Sequence, residues 1–217
     1  MADAEYSNLQ RDAKVLEADG RGAKVMSLAD GRIMKLFRPR KTFTSARWFP
    51  RSLRFAKNAR TLQQLGIPTV SDVLCFKLPS QHFTGVLYQP LPGETLRQLG
   101  VAGLTTQGDY SQTGEFIARL HQIGILFRSI HLGNLVKMAD GQLGLIDIAD
   151  LSRQPWPLLK SQRQRNFRHL FRPDEDHNYL TVAHKQALVD SYLAQCPPGM
   201  STDNGFRHEL EKLARVD

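Results

Sequence analysis

Phe127-Arg128-Ser129-Ile130-His131-Leu132-Gly133-Asn134 leads into Leu135 to Met138, the turn Ala139-Asp140-Gly141, Leu143 to Ile146, and then Asp147-Ile148-Ala149-Asp150. The first eight residues read as a loop by composition, and an Asp-Gly pair between two short apolar segments is a strong hairpin signal. Asn134 stands just before the hairpin and Asp147 just after it. A hairpin returns the chain to where it started, so these two side chains are expected at the same end of it. An amide oxygen beside a carboxylate makes a suitable pair of hard ligands for Mg2+, which takes few protein oxygens and completes its shell with water and phosphate oxygens.

Upstream of this stretch the chain reads as strands and one helix. Lys14 to Glu17, Lys24 to Leu28 and Arg32 to Phe37 are expected strands, the last two joined by the turn Ala29-Asp30-Gly31. In the third of them Ile33, Lys35 and Phe37 share one face, because side chains alternate with period 2, so Lys35 points inward among apolar neighbours. Such a lysine could hold phosphate groups as a point charge. Pro50 opens a helix to about Leu65, with an apolar stripe of Leu53, Ala56, Ala59, Leu62 and Leu65 and with Gly66 as its stop. Val70 to Phe76 and Thr84 to Tyr88 are two further expected strands, followed by the turn Pro90-Leu91-Pro92-Gly93 and a short helix from Glu94 to Leu99. Helices are expected from about Gln112 to Gln122, around Leu180 to Leu193, and from about Phe206 to Ala214.

The order of these elements and the residues quoted resemble the protein-kinase-like superfamily, which includes aminoglycoside and lipopolysaccharide-core sugar kinases. Lys35 matches that family's strand-3 lysine, and Gly20-Arg21-Gly22 stands where its glycine-rich loop would be. Tyr88-Gln89-Pro90-Leu91-Pro92-Gly93 resembles the interlobe hinge, where backbone groups near Gln89 would receive adenine. Ser129 to Asn134 resembles the catalytic loop of the small-molecule kinases, and Asp147-Ile148-Ala149 the metal-binding Asp-Phe-Gly motif. Within the superfamily the chain is most similar to short bacterial proteins labelled toluene tolerance proteins, themselves similar to the heptose and Kdo kinases. The resemblance implies an α+β, two-lobed kinase-like fold: a small N-terminal β-sheet lobe over residues 1–88 and a reduced helical C-terminal lobe over residues 89–217. It also implies ATP and Mg2+ as cofactors, with Lys35, Gly20, Gly22 and Gln89 toward the nucleotide, Asn134 and Asp147 toward the metal, and Asp147, Asn134 and Ser129 at the chemistry.

The departures matter as much as the matches. The loop's catalytic-base aspartate falls on Ser129, which is a poor proton acceptor at neutral pH. The helix after strand 3 normally supplies a glutamate to the lysine, yet no acid occurs from Gly31 to Ser71. Phosphoryl transfer depends mainly on positioning and charge neutralisation, so losing a base, worth about 3–5 kcal/mol of barrier, slows the reaction without forbidding it. Asp150 is a candidate substitute. Two readings therefore stand side by side: a phosphotransferase acting on a lipopolysaccharide-core sugar or related envelope molecule, and a pseudokinase that binds nucleotide or a partner without chemistry.

Composition bounds the rest. The 217 residues are 41% hydrophobic and 23% charged, which excludes disorder, collagen-like structure and coiled coil. No apolar run approaches the ~18 residues of a membrane span, the polar, acid-bearing N-terminus shows no signal peptide, and two cysteines, Cys75 and Cys196, make neither a disulfide framework nor a zinc site. A cytoplasmic location is expected. The net charge of +8 calls for an anionic partner. Ten bases lie between Gly31 and Ser71 without an acid, and six between Leu151 and Pro173. Those charges suit an anionic small-molecule or lipopolysaccharide-type acceptor, with nucleic acid disfavoured. Arg47, Arg51, Arg54 and Lys57 beside Phe43, Trp48 and Phe49 also suit peripheral contact with an anionic inner-membrane surface.

Overall fold

The computed structural model describes residues 1–20, 22–38, 50–78, 80, 82–200 and 203–215. The chain is α+β and divides into two compact units, one of Met1–Leu91 with Leu145–Ala149 and one of Pro92–Gly144 with Asp150–Asp217. The first is a small antiparallel-sheet unit and the second a mainly helical unit.

In the first unit, β1 (Lys14–Asp19), β2 (Gly22–Ser27), β3 (Ile33–Phe37), β4 (Ser71–Leu78) and β5 (Phe83–Gln89) form one sheet in the order β1-β2-β3-β5-β4, every neighbouring pair antiparallel. The alternation expected for β3 is present. Met34 and Leu36 join Met26, Leu28, Phe76, Leu78, Phe83 and Leu87 in one cluster, closed by Tyr6 of α1 (Asp3–Arg11). The Tyr6 ring meets Phe83 edge-on at 5.8 Å. This first helix escapes an apolar-periodicity search because it buries one aromatic; Asp3 and Glu5 in its first turn and Arg11 in its last suit the helix dipole.

The opposite face of β3 meets α2 (Arg51–Gln64), whose Phe55 packs on Phe37 and Tyr88 at 6.2 and 5.2 Å. The buried side of α2 is Ser52, Phe55, Ala56, Asn58, Ala59 and Leu62, and Leu53 is exposed. The expected stripe, stepping three residues each time, drifts about 60° per step around a helix of 3.6 residues per turn, which carries Leu53 off the packed side. At the helix end Gly66 has φ 65°, and the Ile67 N–H reaches back to the Leu62 carbonyl, the closing pattern expected of that glycine.

The second unit begins with β6 (Glu94–Thr95), paired with β8 (Leu135–Lys137), and β8 lies beside β9 (Leu143–Leu145). Thr95 caps α3 (Leu96–Val101) and Thr106 caps α4 (Gln107–Gln122), both through reciprocal capping boxes. Gly114 lets α4 approach α6 (Val182–Gln195) closely: a Cβ there would lie 2.1 Å from the Leu188 carbonyl oxygen. β7 (Ile125–Phe127) pairs with β10 (Leu151–Arg153), and α5 (Lys160–Leu170) and α7 (Asn204–Ala214) complete the unit. His121 is fully buried, accepting from the Tyr192 hydroxyl at Nδ1 and donating from Nε2 to Asn166 Oδ1, at 3.0 and 2.8 Å.

Candidate functional site

Lys35 is placed by the ladder. It stands opposite Val25 on β2 and Val86 on β5, is 6% exposed, and its Nζ lies 2.6 Å from Asp147 Oδ1. The lysine therefore has a carboxylate partner, although α2 carries no acid to provide one. Asp147 belongs to the first unit because its segment is bonded there. Leu145 donates its N–H to the Pro68 carbonyl and accepts from Thr69 Oγ1, while Asn58 Nδ2 donates to the Ile148 carbonyl at 2.7 Å. Between these anchors Asp147 adopts φ 51°, a left-handed conformation costly for a residue with a Cβ and concentrated at functional positions. Burial pushes its carboxyl pKa up, but the charge and hydrogen bond of Lys35, with the charges of Lys24 and Arg51, outweigh this and hold it below the usual carboxylate range.

Gly20 and Gly22 stand at the β1–β2 turn, where Asp19 pairs with Gly22. Arg38 clamps this turn, donating to the Ala23 and Gly22 carbonyls at 2.8 and 3.3 Å and pairing with Asp19 at 3.0 Å. Gln89 ends β5 opposite Ser71, and its side chain is exposed. The preceding Tyr88 is half-buried; desolvation, then the Asp147 and Glu17 charges, push its phenol pKa far up. Arg51, one of the bases expected to suit an anionic membrane surface, stands over the Phe37 ring at 5.9 Å and acts on Asp147. Arg21, Arg40, Lys41, Phe43, Arg47, Trp48 and Phe49 lie outside the described residues.

The loop of the second unit is fixed by a carboxylate that the sequence hides. Asp176 is fully buried; its oxygens accept from Arg97 Nε at 2.7 Å, from the Leu132 N–H at 3.3 Å and from the Tyr179 hydroxyl at 3.3 Å. His131 Nδ1 accepts from the Gly133 N–H at 3.1 Å, so this histidine holds the loop. Asn134 is 6% exposed and donates Nδ2 to the Ser129 carbonyl at 2.8 Å, an orientation that leaves the amide oxygen as its acceptor for a ligand. Ser129 Oγ donates to Asp150 Oδ2 at 3.4 Å, and Arg128 Nε reaches the Asp150 carbonyl at 3.5 Å. A carboxylate thus lies beside Ser129. Within a run of acids Asp176 reads as solvated surface, and nothing in sequence spacing marks Arg97 or Arg38.

Among the described residues no group of three or more His, Cys, Asp or Glu side chains could hold a metal. Asp147 offers one carboxylate and Asn134 one amide oxygen, each a hard donor of the kind Mg2+ takes alongside water and phosphate oxygens. Asn134 belongs to the second unit and Asp147 to the first. Among the described residues no helix is long and apolar enough to cross a membrane.

No family model matches the chain, and no curated protein matches it. Among solved structures, that of the bifunctional kinase-methyltransferase WbdD is similar at 15% identity and a TM-score of 0.45, over 85% of this chain and 46% of its own. The chain thus spans about half the length of that protein.

Proposed function

We propose that this protein is a phosphotransferase of the kinase-like kind that uses ATP with Mg2+, its acceptor a lipopolysaccharide-core sugar or related envelope molecule. The observation that carries the reading is the buried Lys35 paired with a half-buried Asp147, a cation taken out of water beside a carboxylate that still faces it, as a ligand site would require. Lys35 would bind the nucleotide phosphates, and Asp147 and Asn134 would hold Mg2+, which supplies neutralisation of the charge on the transferring phosphoryl group. The acceptor hydroxyl oxygen forms the new bond to the γ-phosphorus, the bond from that phosphorus to the β-γ bridging oxygen breaks, and ADP leaves. The hydroxyl proton passes to the Asp150 carboxylate, the acid beside Ser129. Asp176 and Arg97 keep the loop in place.

A second reading is favoured by Ser129: a hydroxyl that already donates to Asp150 is no base, and a pseudokinase would keep nucleotide binding alone. Thermal shift and phosphate transfer with ATP and Mg2+, in wild type and Asp147→Ala, separate the two. A metal-dependent rise in Tm with turnover, both lost in the variant, supports the enzyme. A rise without turnover supports the pseudokinase, and no rise at millimolar nucleotide removes both.

A further inference from the structure

The second unit carries a cleft of about 480 Å³ between the loop and the end of α5, lined by Arg128, Ser129, His131, His169, Arg172 and the turn Pro173–Glu175. Its size is that of a small-molecule site. Its charges are unevenly committed. Among the described residues the guanidinium of Arg172 and the ring nitrogens of His169 have no hydrogen-bond or ion-pair partner, and Arg128 uses only Nε, on the Asp150 carbonyl. Of the two acids on the rim, Glu175 lies 3.6 Å from Arg97, which leaves Asp174 as the uncommitted one. The two arginines formally balance the two rim acids, so what the cleft offers is guanidinium donors that the protein leaves unused. Burial, then the charges of Arg165, Arg172 and Arg128, hold the His169 pKa below the ordinary histidine value. Ordinary surfaces mix the two signs, whereas α5 contains no acid.

We infer that this cleft binds an oxyanion, phosphate or carboxylate, carried by a small molecule, through Arg128, Arg172 and His169. Planar guanidinium groups match both oxyanions in two-point geometry. Ser129, with Asp150 behind it, lies on the same wall, so a hydroxyl of that molecule would stand where its proton can be taken. Assigning the molecule to the acceptor rests on the phosphotransfer reading; the substrate class is then a hydroxyl compound that already bears a negative group.

The test uses the full chain without nucleotide or metal. Inorganic phosphate, D-glucuronate and D-glucose are titrated while the His169 ring resonances are followed by NMR, in wild type and in the Arg128→Gln/Arg172→Gln double variant. Both arginines are exposed, and far-UV circular dichroism checks the variant's fold. Phosphate or glucuronate, but not glucose, is expected to move the His169 signals, with affinity falling about tenfold or more in the double variant, the loss of one or more charge-assisted hydrogen bonds. The larger response tells which oxyanion the cleft prefers. Unmoved His169 signals with both anions, an equal response to glucose, or undiminished affinity in the double variant overturns the inference. A failed nucleotide shift strikes the phosphotransfer reading and leaves anion binding standing; unmoved His169 signals do the reverse.

Discussion

The Lys35–Asp147 pair of the first unit and the Ser129–Asn134 loop of the second solve the problem of holding polar groups in place differently. In the first, two charges 112 positions apart satisfy each other at 2.6 Å, and a ligand has to compete with that pairing. In the second, the backbone is tied down by Asp176 and Arg97, while the Asn134 amide oxygen and the donors of Arg128, Arg172 and His169 are left for something else. Charge neutralisation built into the site marks one region, and positioning without neutralisation marks the other. The two should fail differently.

The largest effect is expected from Asp176→Ala, which strands a buried loop N–H and removes the partner of Arg97. A loss of about 3–4 kcal/mol in urea unfolding is expected. Hydrogen exchange should accelerate in residues 128–134 while β3 stays protected; equal acceleration in β3 would break the distinction between the two regions.

Acidification should weaken the second unit first. Burial, opposed by the Asn166 bond and aided by the Arg163 charge, holds the His121 pKa at about 4, below its ordinary 6.5. The unfolded chain therefore takes up a proton that the folded chain refuses. Stability is full above pH 6.5 and falls as pH drops toward 4, by about 3 kcal/mol. Asp147 has the opposite origin and a lower window: its folded pKa is depressed, so its contribution is present above the usual 3.8 and is lost only as pH falls through the depressed value. Hydrogen exchange between pH 7 and 4 should loosen α4 and α6 before β3, and His121→Gln should flatten that response.

Asp147→Ala leaves Lys35 buried without its carboxylate. Because the Asp147 side chain is 37% exposed, water can reach the lysine, and about 2 kcal/mol is expected in place of the ~3–5 of a sealed pair. The double variant Lys35→Met/Asp147→Ala should recover most of it. No recovery would mean that the segment is held by its backbone alone. The smallest effect is expected from Asn58→Ala, which removes the donor to the Ile148 carbonyl and should cost about 1 kcal/mol by chemical denaturation.

These regions also differ in how far the sequence exposes them. Asp30-Gly31 and Asp140-Gly141 announce their turns, and the alternation through Ile33 and Phe37 puts Lys35 on an inward face before any coordinates exist. Helix α5 was not legible, because its buried side includes Arg163 and Asn166 beside Phe167 and Leu170, so polar residues interrupt the apolar period. Arg163 is 1% exposed, rests on the Phe206 ring at 4.3 Å and donates to the Tyr192 hydroxyl at 3.4 Å, partners that lie far along the chain. Asp150 could be named as a candidate, but its closeness to Ser129 depends on β10 pairing with β7.

The sequence by itself determined the local grammar of this protein: which residues turn, which alternate, where helices stop, and which face of its strand Lys35 takes. Those properties follow from backbone sterics and side-chain periodicity, which act over a few residues. Only the tertiary structure decided which charges meet. Lys35 takes Asp147 where α2 offers no acid, and Asp176 becomes the buried anchor of a loop more than forty residues before it. Pairing of that kind depends on desolvation and distance in three dimensions, which no spacing along the chain encodes.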